Sequence, residues 1–273
     1  MLPKGVILLY YEHQVMFYYF SFAAVVIFGL GIYKIISLLR LGKKPSLHQP
    51  MSKRLFPKVI LSEVLFQTQL FKQSRVRWFM HITIYWGFTA LFIQTALMMV
   101  LHYFVPEDSL ISIFFYKSWG KHLLDSWGDF WGVVFCIGLI VALGRRYVFR
   151  SKQLYTVEED AVALWFLLAV AFTGFIAEGV RISLVGVTGA DYSFIGVLLA
   201  KINNSFLGIR DKMFMFWIHG IIGLALIAYL PFSKLLHIFT APIEIVLSSS
   251  QEIERGEQFS GISPTTSGIS HTN

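Results

Sequence analysis

The sequence predicts an all-α membrane protein, a five-transmembrane-helix bundle with its N-terminus outside and its C-terminus cytoplasmic. Three observations predict it. Five stretches are long and apolar enough to cross a bilayer. The chain is 56% hydrophobic and only 14% charged, whereas a soluble domain has roughly half its residues apolar and about a quarter charged. The basic residues, finally, fall in alternate loops.

A spanning helix needs about 20 mostly apolar residues at ~1.5 Å rise each, and the stretches 15–39, 78–104, 127–144, 161–185 and 213–233 meet that need. The first is too long for the apolar core of a signal peptide and no small-residue cleavage pattern follows it, so it is expected to remain as a helix. The loop 40–77 carries nine Lys and Arg and the loop 145–160 four, against two in 105–126 and three in 186–212. By the positive-inside rule the first two face the cytoplasm, in the cytoplasmic (inner) membrane of a multi-pass protein. The net charge of +7 is accounted for by this topology, so no nucleic-acid partner is implied.

Within 40–77, Pro45, Pro50 and Pro57 precede a run from Lys58 to Lys72 in which Val59, Ile60, Val64, Leu65 and Leu70 alternate with polar residues. That run reads as an amphipathic helix at the interface or as a partner-docking face. The fifth stretch runs to Pro231 and continues through His237 to Pro242. Residues 1–247 are expected to form the membrane domain, and 248–273, rich in Ser, Thr and Gly, a tail that is flexible or ordered by a partner. Tyr10, Tyr11, Tyr103, Phe104, Trp119, Trp127 and Trp131 cluster at span ends, as an interfacial belt would.

The single cysteine, Cys136, excludes disulfides, zinc ribbons, iron–sulfur clusters and covalent C-x-x-C-H haem within this chain. No nucleotide-phosphate loop and no nucleophile–base constellation is present. Of eight histidines, His13, His48 and His271 fall in loops or termini and read as solvated residues. The other five, His81, His102, His122, His219 and His237, lie in or at the ends of spans, where ionisable groups are costly and call for a cause. Interhelix hydrogen bonding is one cause; haem ligation is the preferred one. His219 and His237 are eighteen residues apart, five turns and ~27 Å on an unbroken helix, and His81 and His102 are twenty-one apart, ~31 Å along theirs. On antiparallel helices His81 would then lie level with His237, and His102 with His219, enough for two bis-histidine haems. His102 also reads as an interfacial residue, and His122, its alternative, as a surface one.

Glu178 and Arg181 stand one turn apart near the outer end of the fourth stretch. Two readings are open, a mutual ion pair or part of a quinone head-group site in which the carboxylate exchanges a proton. Arg145 and Arg146 suit the positive-inside pattern and would also meet haem propionates.

Arg75-Val-Arg-Trp-Phe-Met-His81, Tyr85-Trp-Gly-Phe-Thr-Ala-Leu91, Thr173-Gly-Phe with Glu178-Gly-Val-Arg181, and His219 followed by Ala228-Tyr-Leu-Pro-Phe-Ser-Lys-Leu-Leu-His237 and Ala241-Pro242 together resemble the nitrate reductase gamma-subunit-like membrane cytochromes b. The similarity is nearest to the cytochrome subunits of heterodisulfide-reductase-like and dissimilatory-sulfite-reduction-associated complexes, and it spans nearly all of 15–245. It implies five helices and b haems relaying electrons between menaquinone, or another quinone, and a cytoplasmic iron–sulfur subunit, with further membrane or periplasmic subunits. By position His81 and His237 resemble the inner-haem ligands and His219 an outer one. The nitrate reductase branch has a second histidine ten residues after the first, where this chain has Leu91. The outer haem then takes His102 or His122, or is absent. Rival functions are a haem-free membrane anchor and a proton-coupled transporter; the latter is disfavoured by the lack of inverted repeats and of Gly/Pro-broken helix pairs.

Overall fold

The computed structural model describes residues 4–41, 55–149, 158–185, 192–206 and 208–246. The expectations for His48, His271 and the 248–273 tail lie outside the described residues, as does the side chain of His13. Among the described residues all regular structure is helical, and five helices are long and apolar enough to cross a membrane, over Val15–Ser37, Arg75–Phe104, Trp119–Tyr147, Ala161–Leu184 and Asp211–Phe232. The five expected spans are therefore present, and the protein is a multi-pass membrane protein.

In chain order the helices are α1 (Lys4–Leu41), α2 (Leu55–Val59), α3 (Thr68–Gln73), α4 (Arg75–Phe104), α5 (Leu110–Lys117), α6 (Trp119–Tyr147), α7 (Glu158–Val185), α8 (Phe194–Phe206), α9 (Ile209–Tyr229) and α10 (237–246). Ser74 opens α4 by accepting the Arg77 N–H at 3.4 Å, and Ser109 opens α5 by accepting that of Ser112 at 3.1 Å, each satisfying a donor that a helix start leaves without a partner. Pro106 stands just beyond the end of α4, where the residue before a proline is driven out of the helical region; Val105 has φ −110° and ψ 123°.

Lipid tails are as apolar as Leu, so spans associate through close fit rather than through escape from water. Gly87 of α4 lies on the backbone of Phe135 in α6, where a Cβ would stand 2.8 Å from the Phe135 Cα, and Gly138 of α6 lies on Thr83 and Ile84 in return. That reciprocal pair draws α4 and α6 together. Phe88, Phe135, Leu139, Leu167, Ala171 and Leu226 then form a core shared by α4, α6, α7 and α9. Helix α1 packs on the edge of this core through Phe28 and against α9, with Phe17 edge-on to Trp217 at 5.9 Å, and turns Tyr19 and Phe22 outward, 72% and 71% exposed, as a lipid-facing surface would.

The structure differs from the sequence-based expectation in four places. The Lys58–Lys72 run is not one helix: α2 passes into a π-helical turn over Ile60–Leu65, the chain reverses at Gln67 with φ 50° and ψ 49°, and α3 follows. The loops 105–126 and 186–212 contain α5 and α8, and α6 starts at Trp119, so His122 sits on a helix. Trp127 and Trp131 are more than a belt: Trp127 donates to the Ala90 carbonyl at 3.3 Å, and Trp131 stacks on Trp86 with ring centres 6.3 Å apart. The last span, finally, is broken. Helix α9 ends at Tyr229, and 3₁₀ turns at Leu230–Phe232 and Lys234–Leu236 flank an extended Ser233 before α10 begins. Pro231 cannot donate to the helix ladder and its ring obstructs the preceding turn, so the five-turn relation between His219 and His237 does not hold.

Candidate functional site

At the end of the bundle that carries Arg145, Arg146 and Lys234, helices α4, α6, α7 and the 234–242 segment line a half-open cavity of about 440 Å³ in which His237 is exposed, within the usual range for cofactor pockets. His81 and His237 face each other in it with ring centres 6.2 Å apart and planes inclined at 45°. A ligating imidazole nitrogen lies about 2 Å from its metal and the ring centre ~1.1 Å behind it, so two axial imidazoles on one iron have centres about 6.2 Å apart. The observed separation would leave room for one metal ion between the two rings.

The hydrogen bonds decide which nitrogens are open. The Gln67 Oε1 can only accept, so the His81 Nδ1 at 2.7 Å carries a proton and donates to it. The His237 Nδ1 donates in the same way to the Lys234 carbonyl. Each ring therefore keeps its free lone pair on Nε2, the arrangement that ligating histidines adopt when a neighbour fixes the tautomer. Among the described residues no group of three or more His, Cys, Asp or Glu could hold a bare metal ion; a porphyrin iron asks the protein for only two axial ligands. Met80, Ile84, Ala142, Leu164 and Leu167 supply apolar walls, while Arg145, Arg146 and Lys234 supply positive charge at the same cavity. That combination fits a flat apolar macrocycle bearing two carboxylates.

His219 stands elsewhere, half-buried against α7. Its Nδ1 lies 3.1 Å from the Thr173 hydroxyl, whose own proton is directed at the Ala169 carbonyl at 2.7 Å. Nδ1 is thereby engaged with Thr173, and Nε2 is the nitrogen left open. Gly174 makes room for the ring: a Cβ there would lie 3.2 Å from His219 Cε1. Among the described residues no second histidine ring packs on His219. His102 is exposed beside Tyr103, and His122 lies against Tyr192 with ring centres 4.3 Å apart and planes inclined at 41°.

Glu178 and Arg181 are joined by a two-pronged ion pair, Nε to Oε2 at 2.8 Å and Nη2 to Oε1 at 2.6 Å. The ion-pair reading of these two is thus the geometry present, and it extends further. Arg181 reaches Asp125 at 3.4 Å, and Asp125 receives Lys121 at 2.6 Å. Asp129, 3% exposed, accepts from the Ser193 hydroxyl at 3.2 Å and from the Ile195 N–H at 2.8 Å, and the same hydroxyl lies 3.4 Å from Glu178. Sequence reasoning gave no role to Asp125, Asp129, Ser193, Gln67 or Thr173, the last of which it named only within a motif. Asp129 lies inside the stretch 127–144, and an acid in a span was signal enough to find it; nothing local marks Gln67.

The family model HdrE, which describes a subunit of the dihydromethanophenazine:CoB--CoM heterodisulfide reductase, matches residues 57–245. The HdrE proteins of Methanosarcina acetivorans and Methanosarcina mazei are 27% and 28% identical to the chain over 195 residues, 71% of this chain and 67% and 68% of theirs. An EtfAB:quinone oxidoreductase from Syntrophomonas wolfei is 26% identical over 189 residues, 64% of this chain and 25% of that protein. No solved structure matches.

Proposed function

The chain belongs to the HdrE family of heterodisulfide reductase subunits, and from that premise we propose that it is the membrane cytochrome b subunit of a respiratory oxidoreductase complex, with haem b held between His81 and His237. The observation that carries this reading is the facing of the two imidazoles at 6.2 Å with both Nδ1 atoms engaged. Haem b bound there supplies one-electron transfer through the membrane interior. The protein's part is to fix both ring tautomers, line the group with apolar side chains, and offset propionate charge with Arg145, Arg146 and Lys234.

The names of the relatives supply an electron carrier, dihydromethanophenazine in one set and a quinone in the other. A carrier of that kind, menaquinone or another quinone, is proposed as this chain's substrate, with Glu178 and Arg181 at its head group. There Arg181 would orient a carbonyl oxygen and Glu178 would take up a proton as a quinol is oxidised. A second haem on His219, with His102 or His122 as its other ligand, belongs to this proposal. So does the finer likeness to the nitrate reductase gamma-like cytochromes.

In the proposed topology the N-terminus is outside, the His81–His237 site lies at the cytoplasmic end, and an iron–sulfur protein of heterodisulfide-reductase-like type docks there. The membrane domain is placed at 1–247, with 248–273 as an appended tail. The test is a reduced-minus-oxidised spectrum of the purified membrane protein. A component of the b-type α-band lost in both His81→Ala and His237→Ala supports the assignment, and a spectrum unchanged in both removes it.

A further inference from the structure

Gln67 occupies an unusual position. It has a positive φ of 50°, alone in that respect among the described non-glycine residues, in a region that L side chains adopt only at a cost. Such a conformation persists only where the surroundings over-determine it. Two indoles do so. Trp86 Nε1 donates to the Leu65 carbonyl at 3.0 Å, and Trp78 Nε1 to the Phe66 carbonyl at 2.8 Å. On the far side of the reversal, Glu63 receives the Thr68 hydroxyl at 2.6 Å and the Gln69 N–H at 3.3 Å. The two carbonyls just before Gln67 are thus fixed to α4 on either side of His81, and the Gln67 amide oxygen lands 2.7 Å from His81 Nδ1.

Resting on the reading of His81 as a haem ligand, we propose that Gln67 is a positioning residue that sets the electron-donating strength of His81 and so the reduction potential of the haem at the His81–His237 site. The amide oxygen is a neutral acceptor for the Nδ1 proton. A stronger acceptor draws that proton away and makes the imidazole a better donor, which favours the oxidised metal; no acceptor does the opposite. The acceptor for His81 comes from a neighbouring segment, brought there by the reversal at residue 67.

The test is a potentiometric titration of the b-type α-band in the purified full-length protein carrying Gln67→Glu, Gln67→Leu and Gln67→Gly. The Glu variant should lower the potential and the Leu variant raise it, both with the band retained. Gln67→Gly removes the amide but relieves the positive φ, so it should raise the potential as Leu does while unfolding no earlier than wild type. Three unchanged potentials with an intact band would overturn the role of Gln67 alone. A wild-type spectrum in His81→Ala would instead remove the haem assignment and this inference with it.

Discussion

Asp129, in the interior of α6, accepts the main-chain N–H of Ile195 in the first turn of α8 at 2.8 Å. One side chain thus caps a helix that belongs to a different span connection, and the short α8 is docked at its polar end as well as along its apolar face. Removing the carboxylate leaves a buried donor without its acceptor, which costs about 1–3 kcal/mol. Asp129→Ala should lower the unfolding temperature in detergent clearly more than Asp129→Asn, which keeps an acceptor oxygen. Equal stability of the two variants would show that the cap contributes nothing.

The facing of His81 and His237 predicts shared loss. Each alanine variant should remove the same component of the low-temperature α-band, and His219→Ala should spare it. If His81→Ala and His219→Ala remove one common component, the axial pair has been misassigned. A pyridine haemochrome assay then counts the haems: two per chain supports a second site on His219, and one per chain confines the cofactor to the His81–His237 cavity.

Gly174 leaves no slack beside His219. Adding a methyl group at 3.2 Å from Cε1 forces the ring to give by a few tenths of an ångström, while exchange of a helical Gly for Ala returns up to about 1 kcal/mol of propensity. Gly174→Ala should therefore leave thermal stability near wild type and shift whatever spectral component His219→Ala abolishes. A spectrum identical to wild type, in a protein where His219→Ala has an effect, would rule out the tight fit.

Glu178 is bound to Arg181 through both oxygens, so its replacement separates two roles. Glu178→Gln preserves size and one hydrogen-bonding oxygen but removes the charge and the capacity to take a proton at neutral pH. With the α-band intact, quinol-oxidising turnover of the assembled complex should fall at least ~10-fold, somewhat below the usual cost of a lost general base. Unchanged turnover would leave Glu178 as a structural partner of Arg181 and move the quinone site elsewhere.

The spans were legible because lipid imposes a length and a polarity that no other environment does, and all five appear within a few residues of the expected limits except α6, which starts eight residues before Trp127. His81 and His237 were legible as isolated costly residues in apolar surroundings. The two rings do meet in one cavity, but not by the expected route, since Pro231 interrupts the helix on which the depth argument was built. Gln67 was out of reach: its placement depends on a left-handed residue and two distant indoles, a tertiary arrangement with no local pattern. The acidic cluster was readable in part, since Asp129 lies within an apolar stretch, yet its link to Glu178 passes through Ser193 in a connection that carries no periodic signal.

The break between α9 and α10 makes the two ends of the last span separately adjustable in evolution. On one continuous helix, inserting or deleting a residue turns everything beyond it by about 100°, so His219 and His237 could not be repositioned independently. Here Leu230 and Leu235, both buried, anchor the 3₁₀ turns in the core, and the joint absorbs such a change before it reaches His237. A lineage can then change the surroundings of His219 while the cavity at the other end keeps its geometry.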